Sequence, residues 1–190
     1  MHKLLAHLRS DRAQVHALED LELCDTLAEV VSTMSNGRPV PSLDCQARGL
    51  PLKADPDRFS AIIGHIIRNA QDATPEDGRI SVRLFGLGKR AIIEVQDTGT
   101  GMDKEFIRTR LFKPFDSTKG TSGMGIGVYE ARDYVHKLGG DIEVISRVGE
   151  GTTFRIRLPV SDVRENDVKL SKVTPDNNSD GRSYSEITGH

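Results

Sequence analysis

The stretch DPDRFSAIIGHIIRNAQDA, residues 55–73, carries two different stripes on one helix. Asp55-Pro56 is a helix-start signature, with proline tolerated in the first turn. From Asp57 to Ala73, the residues Phe59, Ile62, Ile63, Ile66, Ile67, Ala70 and Ala73 follow the i, i+3, i+4, i+7 rule and must face a core. His65, Arg68, Asn69 and Asp72 obey the same spacing on a roughly opposite face. That second stripe is a chemical surface, because it gathers an imidazole, a guanidinium, an amide and a carboxylate on one side of a buried element.

Working outward from this helix, Ile80 to Phe85 and Ala91 to Val95 read as strands, joined by a hairpin loop at Gly86-Leu87-Gly88-Lys89. Asp97-Thr98-Gly99-Thr100-Gly101-Met102 then breaks the sheet. A short helix near Asp103 to Leu111 gives way to a Pro-, Gly-, Ser- and Thr-bearing segment, Phe112 to Ser122, of mobile character. Gly123-Met124-Gly125-Ile126-Gly127 opens a helix that runs to about Leu138 and stops at Gly139-Gly140. The last strands, Asp141 to Ser146 and Thr153 to Leu158, flank the turn Gly149-Glu150-Gly151. In the other direction, Leu21 to Leu23 is a short strand, and Asp25 caps a helix whose apolar stripe is Leu27, Val30, Val31 and Met34, ended by Asn36-Gly37. A strand around Val40 to Gln46 and an extended piece at Leu52-Lys53 complete the middle. Met1, Leu4, Leu5 and Leu8 give residues 1 to about 17 the pattern of a helix that wants a partner. The polar tail beyond Val160 has few large apolar residues and is expected to be disordered.

Composition bounds the function. A chain of 190 residues with 36% hydrophobic and 28% charged residues suits one globular domain with some extra at the ends. Lys and Arg number 26 against 28 Asp and Glu, so nothing favours wrapping nucleic acid, and any phosphate binding must be local. No apolar run approaches the roughly 20 residues that span a bilayer, so no membrane contact by this chain is expected. Cys24 and Cys45 are too far apart for a metal knuckle and too few for a disulfide scaffold, which suggests a reducing, cytoplasmic setting.

Any one glycine cluster would be an ordinary turn; their order is what carries information. An Asn on a helical polar stripe, Asp-x-Gly-x-Gly after a strand, Gly-x-Gly-x-Gly opening a helix, and Gly149-Glu150-Gly151-Thr152 before the last strand follow one another. This ordered set resembles the GHKL superfamily, which includes histidine kinases, gyrase, Hsp90 and MutL. The detail resembles a histidine kinase over roughly residues 20 to 160. His65 to Ala70 resembles the Asn box, Asp97 to Gly101 the first glycine box, Leu111-Phe112-Lys113-Pro114-Phe115 the Phe box, and Gly123 to Gly127 the second glycine box. Phe115 to Gly120 followed by Gly123 to Glu130 is most similar to PEP-CTERM-system (PrsK-type) kinases, with nitrogen-regulation kinases next. The resemblance implies a Bergerat-type two-layer α/β sandwich, a mixed sheet backed by helices with a mobile ATP lid. It also implies ATP and Mg²⁺ as ligands.

Residue chemistry agrees with that implication. The Asp97 carboxylate can accept the exocyclic amine of adenine, whereas the carbonyl oxygen of guanine would set two acceptors face to face. Gly99 and Gly101 allow close backbone approach, and the resemblance implies that Met102 and Thr152 belong to the same pocket. Asn69 offers a neutral oxygen to Mg²⁺, which takes most of its ligands from phosphates and water. Arg68 can meet phosphate charge, and Asp72 can support the base pocket or the metal's water shell. Gly123, Met124, Gly125, Ile126 and Gly127 present backbone N–H groups at a helix start, where anionic phosphate is favoured. Lys119 can close over the phosphates, with Phe112 and Phe115 as latches. Asn69 and Lys119 are thus the candidate catalytic pair, and Asn69 the candidate metal ligand.

His65 stands where ATP-hydrolysing members of the superfamily resemble one another in having Glu, the base for water. Its presence argues for a kinase over an ATPase. The six histidines are followed by Lys, Leu, Ala, Ile, Lys or nothing, so none has the His-Asp or His-Glu pattern of a phosphoacceptor. Residues 1–19 are therefore expected to be the remnant of a dimerisation helix and linker, with the acceptor histidine outside this chain. The implied partners are the dimerisation and histidine-phosphotransfer domain of the same kinase and a response regulator. A GHKL ATPase and a non-enzymatic nucleotide-gated module stand as the alternatives.

Overall fold

The computed structural model describes residues 17–114 and 126–160. The helix expected over residues 1–16, the segment 115–125 and the tail beyond 160 lie outside the described residues. The elements run β1 (Glu19–Glu22), α1 (Leu23–Thr33), a 3₁₀ turn (Met34–Asn36), β2 (Ser42–Cys45), β3 (Pro51–Ala54), α2 (Pro56–Ala73), β4 (Ile80–Leu87), β5 (Arg90–Asp97), α3 (Lys104–Thr109), α4 (Gly127–Lys137), β6 (Asp141–Arg147) and β7 (Gly151–Pro159). Five strands form one mixed sheet in the order β2-β4-β5-β7-β6, parallel only between β2 and β4, while β1 and β3 pair separately as an antiparallel ribbon.

The apolar stripe of α2 does what its spacing requires. Phe59, Ile63, Ile66 and Ile67 are essentially without solvent contact, and they join Val82 and Leu84 of β4, Ile93 and Val95 of β5, and Ile156 and Leu158 of β7 in one core. Each such side chain contributes about 1.5–3 kcal/mol through burial. Asp55 caps the helix by accepting the N–H of Arg58 at 3.1 Å. The Tyr134 hydroxyl of α4 in turn accepts the N–H of Asp55 at 3.0 Å, while the Arg58 guanidinium lies 4.6 Å from the Tyr134 ring, so α4 is tied to the start of α2.

The two faces of the sheet are opposite in kind. Alternation along β5 sends Ala91, Ile93, Val95 and Asp97 to the helix side and Glu94 to the other. Glu94 is only 3% exposed, yet it is flanked by Arg83 at 2.6 Å and Arg155 at 2.7 Å. Arg155 continues to Glu143 at 3.2 Å, Glu143 also meets Arg157, and Arg157 reaches Asp141 at 2.6 Å. A charged lattice therefore covers the face without helices, and the side that can host a ligand cavity is the helical one.

Three details differ from the sequence expectations. The first helix starts at Leu23, and its N-cap is Glu22, whose carboxylate accepts the N–H of Asp25 at 3.0 Å and of Gly49 at 3.0 Å. Asp25 sits in the first turn instead, since β1 ends at Glu22, one residue earlier than its apolar pattern suggests. The hairpin loop shrinks to Gly88-Lys89, because β4 and β5 pair out to Leu87 and Arg90. Cys24 and Cys45 form a disulfide with Cα atoms 6.0 Å apart, since the first turn of α1 packs on the end of β2. Spacing in the chain could not reveal that contact.

Replacing Ile63, which has no solvent exposure, by alanine is expected to cost about 2–5 kcal/mol. Urea denaturation of the variant against wild type measures it, and a loss under about 0.5 kcal/mol would contradict this packing.

Candidate nucleotide site

The phase of β5 decides the chemistry. Asp97 falls in line with Ala91, Ile93 and Val95, so its carboxylate enters the helix layer at the end of a row of core side chains, 4% exposed. Its Cα partner on β7 is Thr152. Oδ1 accepts two backbone bonds, from Gly99 N–H at 2.9 Å and from Thr152 N–H at 3.1 Å. Both bonds fall on Oδ1, and Asp97 lines the cavity, so Oδ2 is the carboxylate oxygen open to a ligand there. Burial pushes the Asp97 carboxyl above the usual carboxylate range, opposed by the two N–H bonds from Gly99 and Thr152.

The loop after Asp97 is wedged between two elements. Thr100 donates its N–H to Ala73 O at 3.0 Å and accepts the N–H of Gly149 at 2.8 Å, joining the end of α2 to the β6–β7 turn. A Cβ on Gly99 would stand 2.4 Å from Ala73 O, and one on Gly101, where φ is +63°, would stand 1.9 Å from Arg147 O. Backbone, not movable side chain, fills both positions, so only glycine fits. Sequence reasoning missed Ser146. Its hydroxyl accepts Met102 N–H at 2.9 Å, lies 2.9 Å from Thr152 Oγ1 and donates to Gly151 O at 2.9 Å. It thereby clamps the loop to β6 and β7, and only the strand register could have shown it.

A cavity of about 1040 Å³ opens above this floor. His65, Arg68, Asn69 and Asp72 of α2 line it together with Asp97, Gly101, Met102 and Thr152 from the floor and Ile126 and Gly127 from the start of α4. Residues with no earlier role also contribute, notably Met34, Phe106 and Glu130. Their signal in sequence is weak because each is unremarkable in its own element. Gly99 sits beneath the wall instead of in it. Phe112 does not line the cavity; its ring packs 4.8 Å below the Arg132 guanidinium of α4, so it joins the segment after α3 to α4. Lys119, Gly123, Met124 and Gly125 lie outside the described residues.

The donors present fit a hard cation. Asn69 contributes an amide oxygen, and Asp72 and Glu130 bring carboxylates to the same cavity, all oxygen ligands of the kind Mg²⁺ takes. Among the described residues one cluster of three potential metal ligands exists, Glu22, Cys24 and Asp25; none of them lines the cavity, and Cys24 is committed to its disulfide.

An α/β sandwich with a buried carboxylate at its floor, an amide-bearing helix as one wall and a helix N-terminus as the other can hold an anionic ligand that carries a hydrogen-bond donor at its far end. A profile of the family described as "Histidine kinase-, DNA gyrase B-, and HSP90-like ATPase" matches residues 54–162, and the chain belongs to that family. Its relatives include the sensor kinase CckA of Brucella abortus, 32% identical over 80% of this chain and 18% of that protein. The sensor histidine kinase ZraS of Escherichia coli is 30% identical over 86% of this chain and 35% of that protein. The chain thus spans about a fifth to a third of these two relatives. Among solved structures, the mycobacterial sensor histidine kinase MprB superposes with a TM-score of 0.67 at 20% identity, over 77% of this chain and 100% of that one. Full-length ShkA in complex with AMPPNP also gives 0.67, at 22% identity, over 80% of this chain and 33% of that one. The fold is that of histidine-kinase catalytic domains.

Two outcomes follow from Asp97. Protonation turns Oδ2 from acceptor to donor, so adenine-nucleotide affinity should fall as pH drops through the raised Asp97 value, above the range where an ordinary carboxylate titrates; calorimetry across pH reads this. The folded state disfavours the charged form, so the protonated carboxyl's contribution to stability is full at low pH and lost as pH rises through the raised value. Asp97→Asn, which removes that loss, should therefore melt no lower than wild type at neutral pH, with its relative advantage fading in acid.

Proposed function

We propose that this chain is the catalytic ATP-binding domain of a two-component sensor kinase, binding Mg-ATP and presenting the γ-phosphoryl group to a histidine on another domain. The observation that carries this reading is the pairing, in one cavity, of a buried acceptor at Asp97 Oδ2 with the amide of Asn69 on the adjacent wall. The carboxylate suits the exocyclic amine of adenine. The phosphates then run along α2 past Asn69 and Arg68 toward the first turn of α4, whose N–H groups have no side-chain cap among the described residues. Asn69, with Asp72 and Glu130, would hold Mg²⁺, which would neutralise phosphate charge. Lys119, Gly123, Met124 and Gly125 would complete the phosphate side, with Lys119 closing over it.

The chain's own share of catalysis is positioning. Asp97 fixes the purine, Asn69 fixes the phosphate end, and the helix dipole of α4 stabilises charge on the transferred group. His65 occupies the place of a water-activating carboxylate, so hydrolysis has no base there. The partners are the dimerisation and histidine-phosphotransfer domain of the same kinase and a response regulator whose aspartate takes the phosphoryl group next. No described helix is long and apolar enough to cross a membrane. A cytoplasmic setting rests on this need for ATP and a regulator, since the paired cysteines no longer argue for it.

The isolated chain should bind Mg-ATP without labelling itself from [γ-³²P]ATP, and should label a separately supplied acceptor domain. Stable label on His2, His7 or His16 would contradict the missing acceptor. Steady phosphate release abolished by Asn69→Ala would instead favour an ATPase, and tight ATP binding with no transfer would favour a nucleotide-gated module. Because both N–H bonds converge on Oδ1, the amide oxygen of Asp97→Asn takes that place and its NH₂ faces the purine, donor against donor. ATP affinity should then drop by about tenfold or more, measured by calorimetry beside GTP.

A further inference from the structure

The glycines around the cavity are not alike. At Gly99 and Gly101, and at Gly151 with φ +100°, the atom that excludes a Cβ is a backbone oxygen, at 2.4, 1.9 and 2.1 Å. At Gly127 it is a side chain: a Cβ would stand 2.0 Å from His65 Nε2, 2.2 Å from Cε1 and 2.3 Å from Cδ2. The imidazole therefore fills the space that any other residue at 127 would use. Gly127 does not have the positive φ of Gly101 or Gly151, and it is the first residue of helix α4, a position that residues other than glycine readily occupy. Backbone geometry does not call for a glycine here.

We propose that His65 and Gly127 are a matched pair, with the imidazole acting as the spacer that seats the first turn of α4 against α2. His65 lies one helical turn before Asn69 on the same polar stripe, and Gly127 is the first residue of α4. The contact sets the separation between the Asn69 wall and the first-turn N–H groups of α4 on the other side of the cavity. His65 is thus a positioning residue for the phosphate end, and Gly127 is its socket, a role different from freeing backbone for close phosphate approach. The proposal rests on the nucleotide reading above and adds to it the part that makes a histidine, in place of an acidic residue, fit this wall.

A double-mutant cycle decides it. Wild type, His65→Ala, Gly127→Ala and the double variant are compared for ADP affinity by calorimetry, for melting temperature, and for saturating transfer rate to a separate acceptor domain. Gly127→Ala alone should weaken ADP binding by about tenfold, and should slow transfer at saturating ATP. In the double variant the clash is gone, so affinity should return to within about threefold of His65→Ala, with melting at or above that variant. Losses that simply multiply, or a Gly127→Ala protein that binds and transfers like wild type, would overturn the pairing. If wild type bound no adenine nucleotide the functional reading would fail separately, and non-additivity in the melting temperatures would still decide whether the two residues share one space.

Discussion

Everything at this site depends on a carboxylate placed where carboxylates are costly. Asp97 terminates a row of core side chains, and the fold tolerates its burial because two backbone N–H groups converge on one of its oxygens. That convergence leaves the second oxygen unspent. A ligand donor in the cavity that Asp97 lines is what that oxygen is placed to meet.

The rest of the structure serves to hold that group still. The loop beyond it is locked by Ala73 on one side and Arg147 on the other, at distances that leave no room for side chains at Gly99 and Gly101. Ser146 adds a clamp from β6, and Thr152 faces Asp97 across β5 and β7. The far face of the sheet carries its own network of Arg83, Glu94, Arg155, Glu143 and Arg157, which covers it with charge and leaves the helical side to the cavity. Helix α2 belongs to both regimes, with isoleucines below and a polar stripe above.

Much of this was legible before any coordinates. The two stripes of α2 and the Asp55 helix start follow from periodicity and capping chemistry, which are set by local geometry, whereas Asp97, expected to break the sheet after a strand ending at Val95, is the last residue of β5 and in phase with Ala91, Ile93 and Val95. What stayed hidden depends on contacts between distant segments. Glu22 caps α1 in place of Asp25 because it also reaches Gly49, 27 residues on. The Cys24–Cys45 disulfide needs the packing of α1 on β2, and Ser146 needs the register of β6 on β7. The reason for Gly127 lies in a histidine 62 positions earlier, and Phe112 found Arg132 instead of the cavity. The glycine boxes gave no hint of which glycine yields to backbone and which to a side chain.

The central claim is that Asp97 Oδ2 reads the amine of the purine. Titrating the chain with ADP and with the analogue that lacks only the 6-amino group tests it most directly. The account predicts that the analogue binds more weakly by about 1–3 kcal/mol, the cost of leaving a buried acceptor unpaired. Equal affinity for the two ligands would show that the carboxylate does not touch the base, and would contradict it.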